Sequence, residues 1–387
     1  MHQLIVEKPY TFSPPSKGTL WPKLFQLALP WYLRKYHGVT SVSFENVERL
    51  QASIASGHGV MLTPNHCRPC DPMVVTALAK LTGSPMYIMA SRHLFEQGRL
   101  QKWLLQHAGA FSVFREGMDR EALKLAIDTL KEAKRPLVLF PEGVITRTND
   151  RLNSLMEGTS FIARNAAKGS REGHVVVHPL AIRYKFCGDI EAALSPVLSE
   201  IESRLTWSPR SRSLQERIEA VGQALLSLKE TEFLGRPQSG DIAERLVGLT
   251  NAILVPLEQE WFKSPGKGDV VSRVKKLRAA IIPDLVGKDL TEEDKAQRWS
   301  QLAQVYLAQQ LYFYPPSYTH NATQERLLET VERFEEDLKD VATIHAPIHA
   351  TIQVGTAIPV SSEREKGSDT VMLAIQAQLS QMLGIHA

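Results

Sequence analysis

The chain has 387 residues, of which 43% are hydrophobic and 22% charged, with a formal net charge of +3. This composition supports one large or two ordinary hydrophobic cores and excludes a disordered chain. Near-neutrality removes the general electrostatic case for a nucleic-acid partner, and three cysteines, Cys67, Cys70 and Cys187, make no disulfide framework and fit a reducing compartment.

Residues 1–19 read as irregular, punctuated by Pro9, Pro14 and Pro15, without the basic stretch and apolar run of a secretory signal. The following apolar stretch, 20–33, holds Lys23, Gln26 and two prolines, too interrupted for the roughly 20 apolar residues of a bilayer span. Its Trp21, Trp31, Tyr32 and Tyr36 stand near Arg34 and Lys35. Such a mixture suits a lipid headgroup interface as well as rings packed on the protein's own core. Residues 1–39 are therefore set apart as an interfacial or irregular segment.

From about 58 to 186 short apolar runs alternate with helical patterns. The periodicity predicts strands over 59–63 (GVMLT), 86–90, 110–114, 137–140 and 174–182, and helices over 71–81, 94–107, 119–133 and 154–167. That alternation is the signature of an α/β fold with a mainly parallel sheet flanked by helices, whose sites gather at the strand C-terminal ends. From 190 to 345 strand signals vanish, and long helices are predicted over 213–229, 241–262, 292–312 and 324–341. No fixed-period repeat is apparent in this stretch. A basic amphipathic segment, with Lys267, Arg273, Lys275, Lys276 and Arg278, suits a solvated face or an anionic surface. Strand character returns over 350–360, followed by an amphipathic helix over 369–383.

The densest polar motif is Asn65-His66-Cys67-Arg68-Pro69-Cys70-Asp71-Pro72, between the strand at 59–63 and a helix. A neutral imidazole can take a proton from an alcohol near neutral pH, and a carboxylate can fix its tautomer. The same spacing also allows Asp71 to act only as a helix N-cap with Pro72 at the first helical position. Cys67 and Cys70, with His66 and Asp71, could hold zinc, although no second ligand pair accompanies them. Three later segments also sit at or within strands: Gly109 to Arg115, Phe140-Pro141-Glu142-Gly143 with Arg147 beyond it, and the run 177–182 containing Pro179. Arginine forks match phosphate, and a turn through Gly143 can present backbone N–H groups to an anion.

The order of these four blocks resembles the glycerolipid acyltransferase family, which includes glycerol-3-phosphate and 1-acylglycerol-3-phosphate acyltransferases. That family carries N-H-x-x-x-x-D, a G-x-F-x-x-R strand, F-P-E-G and a proline in a late apolar strand. The blocks stand here at 65–71, 109–115, 140–143 and 177–182, and the resemblance covers about 40–186.

It implies His66 as general base and Asp71 as its orienting partner. Asn65, Arg115, Glu142, Gly143, Arg147 and Pro179 would serve substrate binding, Arg115 on the acceptor's phosphate. It implies acyl-CoA or acyl carrier protein as donor, a lysophospholipid or glycerol phosphate as acceptor, no metal or organic cofactor, and peripheral association with the cytoplasmic membrane surface. Two departures stand out: Arg68 occupies a position where the family often has serine, and Val144-Ile145 separate the F-P-E-G block from Thr146-Arg147. They leave room for an alternative, a non-catalytic lipid- or acyl-carrier-binding protein on the same fold.

The late Gly-x-x-Ile-Pro pattern at 355–359 resembles the strand that closes the family's domain. Residues 40–189 and 346–387 are thus expected to form one catalytic domain, with the helical region 190–345 inserted before its last strand.

Overall fold

A computed structural model describes residues 9–171, 173–207, 212–314, 322–363 and 369–385. It divides into two compact units: Tyr10–Cys187 together with Ile344 onward, and Gly188–Thr343.

The first unit opens with α1 (Leu20–His37), β1 (Val39–Glu45), α2 (Val47–Ala55) and β2 (Gly59–Pro64). Within the segment expected to be interfacial or irregular, residues 9–18 carry no helix and α1 follows them; Pro22 falls in its first turn, where its missing N–H costs nothing. β1 and α2 have no clear counterpart in the sequence pattern, because β1 (VTSVSFE) mixes serine and threonine with its apolar residues.

Next come α3 (Asp71–Thr76), α4 (Leu78–Thr82), β3 (Tyr87–Ser91), α5 (His93–Glu96), α6 (Arg99–His107) and β4 (Ala110–Val113). Two expected helices are each split. The first turns at Ala77, where the Thr76 hydroxyl donates to the Met73 carbonyl at 2.7 Å and Ala77 N–H to Val74 C=O. The second breaks at Gly98, whose φ of 147° no helix contains.

The unit continues with α7 (Arg120–Glu132), β5 (Leu137–Val138), α8 (Gly158–Ala167) and β6 (Val175–Phe186). β5 is shorter than the apolar run suggests: Leu139 N–H still reaches Leu62 C=O, and Pro141 then ends the pairing for want of an N–H.

Among the described residues the second unit holds helices without strands: α9 (Ile190–Arg204), α10 (Leu214–Leu234), α11 (Ile242–Phe262), α12 (Val270–Gly287), α13 (Glu292–Tyr312) and α14 (Gln324–Lys339). The chain then returns to the first unit as β7 (Ile348–Val354), β8 (Ile358–Pro359) and α15 (Thr370–Leu383).

The sheet order is β1-β7-β6-β2-β5-β3-β4, with β8 also pairing with β6. The pairs from β6 through β4 are parallel, as is β1 with β7, whereas β7 and β8 run antiparallel to β6. All six residues of β2 are buried, as a central parallel strand covered on both faces requires. On one face α7, α8 and α15 supply Leu130, Ile162 and Ile375 to a core shared with Met61, Leu137 and Val177. Each such side chain contributes about 1.5–3 kcal/mol of burial. The fold is therefore the expected α/β sheet with its helical region inserted ahead of the closing strands.

The helical unit does contain a period. The N-cap residues Ser213, Asp241 and Asp269 each accept a hydrogen bond from the first turn of α10, α11 and α12, and stand 28 residues apart. The ion pairs Glu202–Arg217, Glu230–Arg245 and Glu258–Arg273 advance by the same step. In each, the Nε and Nη2 of the arginine grip both carboxylate oxygens at 2.7–2.9 Å. Pro209, Pro237 and Pro265 share the spacing in sequence. So does a loop contact: Glu230 also accepts Gln238 N–H, and Glu258 accepts Gly266 N–H, both at 2.8 Å. A carboxylate near the end of one helix thus fixes both the connecting loop and the first turn of the next.

Glu230 is fully buried and Arg245 nearly so. Glu230→Gln leaves a buried guanidinium without its anion, and the helical unit is expected to lose about 3 kcal/mol of stability. The helical circular-dichroism signal under urea checks this, and an unchanged unfolding midpoint would contradict the role of the pair.

Candidate active site

The loop leaving β2 carries the site. β6 outruns β2: the last paired residues are Pro64 and Leu180, while β6 continues to Phe186. Backbone groups beyond that point need other partners. Asn65 supplies them to Ile182, accepting its N–H at 2.7 Å and donating to its C=O at 3.0 Å. Asn149 does the same for Tyr184, at 2.8 and 2.9 Å. Two side-chain amides thereby stand in for a missing strand and tie the loops after β2 and β5 to β6.

With Asn65 pinned, the next residue is His66. Its Nδ1 lies 2.8 Å from Asp71 Oδ2. A carboxylate only accepts, so Nδ1 carries the proton and Nε2 is left as the acceptor nitrogen. The imidazole rests on Phe140, ring centroids 4.1 Å apart.

Its main chain is held on both sides. His66 N–H donates to Glu142 Oε1 at 2.9 Å, and His66 C=O accepts Thr146 N–H at 2.8 Å.

Asp71 does not cap α3. Cys70 occupies the N-cap position, and the Asp71 carboxylate turns back over its own loop. There, fully buried, it accepts Arg68 N–H at Oδ2 (2.8 Å) and the Tyr184 hydroxyl at Oδ1 (2.6 Å). The Cys67 thiol also faces Oδ1 at 3.9 Å, and Cys70 Sγ lies 3.4 Å from the Tyr184 hydroxyl. Burial first, and then the Asp71 charge, pushes the Cys70 thiol up to about 12. Both thiols are thus spent within this polar cluster, and no group of three metal-ligating side chains occurs among the described residues.

Of the other sequence-derived residues, Arg115 and Gly143 come together: Arg115 Nη1 donates to the Gly143 carbonyl. Gly143 adopts φ 68°, a left-handed conformation that favours glycine, and a Cβ there would meet Met156 Sδ at 2.4 Å. Arg147 is half-buried at φ 60°, a left-handed conformation uncommon for a residue with a side chain.

Three expected substrate contacts face inward instead. Glu142 is fully buried, and its second oxygen accepts Asn153 N–H at 2.9 Å. Burial pushes its carboxyl up to about 8, against the downward pull of the two backbone donors. Asn65 spends its amide on β6, as described above. Pro179 is buried in β6 opposite Thr63, and its carbonyl accepts Gly355 N–H at 2.8 Å.

Sequence alone gives no role to Tyr184, Thr146, Asn149 or Phe140, although Phe140 and Thr146 stand in or just after the F-P-E-G block. Tyr184 alone had a readable signal, since it follows Ile182 on the same face of one strand.

The acyltransferase family model matches residues 41–183. A 1-acyl-sn-glycerol-3-phosphate acyltransferase of Streptococcus pneumoniae (strain ATCC BAA-255 / R6) is 33% identical over 78 residues, 20% of this chain and 27% of the relative. The chain thus matches about a quarter of that relative's length. Residues 41–183 are thus similar to the acyltransferase family.

Proposed function

We propose that the protein transfers a fatty acyl group from a thioester donor, acyl-CoA or acyl carrier protein, to a glycerolipid hydroxyl, with 1-acylglycerol-3-phosphate as the favoured acceptor. The observation that carries this reading is the 2.8 Å bond between His66 Nδ1 and a fully buried Asp71 inside an acyltransferase-family domain. His66 Nε2 removes the proton as the acceptor oxygen attacks the thioester carbonyl. The tetrahedral intermediate collapses with cleavage of the C–S bond. The imidazolium returns the proton to the departing sulfur, giving ester and free thiol, and Asp71 steadies the transient positive charge.

Arg115, beside the Gly143 turn, and Arg147 are assigned to the acceptor's phosphate. Glu142 and Asn65 are assigned to shaping the loop that carries His66, because their polar atoms are taken up by backbone groups. The acceptor chemistry is supported by the pneumococcal relative's name and by the arginines of this loop cluster.

Work at a membrane surface is supported by α1. Leu20, Leu24, Leu27 and Trp31 are all exposed on it, Leu27 at 79%. Its charged residues are Lys23, Arg34 and Lys35, with no carboxylate. Among the described residues no helix is long and apolar enough to cross a membrane, so α1 would lie in the headgroup plane.

Two measurements test the proposal. Thiol release from acyl-CoA is expected with lysophosphatidic acid and to be weaker with non-phosphorylated alcohols. Arg115→Gln should raise KM for the phosphorylated acceptor on the order of tenfold while sparing the alcohols. Equal use of both acceptor classes would overturn the phosphate assignment, and no turnover with any acceptor would overturn the reaction.

The protein is also expected to co-sediment with phosphatidylcholine vesicles containing phosphatidylglycerol, and Leu27→Glu with Trp31→Glu to abolish this. Undiminished sedimentation of that variant would remove α1 from the membrane surface.

A further inference from the structure

Resting on the assignment of His66 and Asp71 above, we propose that Tyr184 is a positioning residue for the reaction: its hydroxyl clamps the Asp71 oxygen that His66 does not use, and so fixes the plane in which Asp71 meets the imidazole.

The contacts divide the carboxylate between two sets of donors. Oδ2 takes His66 Nδ1 and Arg68 N–H, both at 2.8 Å, and Oδ1 takes the Tyr184 hydroxyl at 2.6 Å. Without a strong donor at Oδ1, one side of a fully buried anion would face only the Cys67 thiol at 3.9 Å.

Tyr184 is itself rigid. It sits within β6, pairs with Ala350 of β7 across the antiparallel register, and has its N–H and C=O occupied by Asn149. Its hydroxyl belongs to Asp71, which leaves the phenol oxygen to accept the Cys70 thiol. The Arg68 guanidinium lies over the Tyr184 ring, 5.5 Å from its centroid. Burial first, and then the Asp71 charge, holds the phenol well above its usual range, so it stays a donor.

The orientation of the base is thereby referred to a sheet strand and not to its own loop. That is how a carboxylate on a six-residue helix can hold an imidazole in one tautomer.

Tyr184→Phe tests this, since it keeps the ring and removes only the donor. Asp71 is also faced by Arg68, Cys67 and Cys70 from its own loop, and it lies within electrostatic reach of Glu142 beyond β5 and His37 at the end of α1. The Phe variant leaves all of these in place.

With its proton donor gone, Asp71 pulls harder on the imidazolium. The His66 titration, followed by the imidazole resonances in NMR, is therefore expected to move to higher pH. The acid limb of kcat/KM should move with it, and kcat should fall on the order of tenfold at unchanged KM. Tyr184→Trp, which offers a different donor geometry, should not restore kcat.

An unshifted His66 titration would overturn the proposal, as would a loss confined to KM or to thermal stability. The NMR readout needs no turnover. A shifted titration in a protein without acyl transfer therefore sinks the reaction while leaving the Tyr184 link standing.

Discussion

A carboxylate withdrawn from water must be met by donors on every side, and in this protein that requirement falls on Asp71. Its two oxygens gather His66 and Arg68 from the loop after β2 and Tyr184 from β6. The other site contacts serve the same geometry. Asn65 and Asn149 close the exposed edge of β6, and Glu142 and Thr146 hold the His66 peptide from either side. The imidazole is thus aimed by three separate chain segments, with its Nε2 left outside the arrangement.

This convergence explains what the sequence could and could not disclose. The alternation of apolar runs revealed the parallel sheet, because fully buried strands such as β2 read as continuous hydrophobic stretches. The His66–Asp71 spacing is legible only as a pair with three readings: a helix cap, a base or part of a zinc site. The deciding fact is that the Asp71 side chain turns away from α3, and a local sequence carries no information about that turn. Tyr184 lies 113 residues from Asp71 along the chain. Contacts of that separation follow from strand order, which periodicity does not encode. Glu142 shows the converse: its place in a motif does not disclose that burial commits its two oxygens to two backbone N–H groups.

The helical unit hid its regularity for a related reason. Its 28-residue period is carried by one carboxylate, one arginine and one capping residue per repeat, together with apolar positions that exchange one aliphatic residue for another, such as Leu214, Ile242 and Val270 or Val221, Leu249 and Leu277. Few identities recur in each 28 residues, so the period stands out only once the paired side chains are seen together. The sheet tolerates the long excursion between β6 and β7 because the returning strand closes both exposed edges at once. β7 pairs antiparallel with β6 and parallel with β1.

The central claim is that His66 is the base for acyl transfer. Its most direct test is thiol release from acyl-CoA, in the presence of a lysophospholipid acceptor, by His66→Ala with unchanged circular dichroism and thermal midpoint. Release is expected to be abolished in the variant and present in the parent protein. Near-normal release by the folded variant would contradict it.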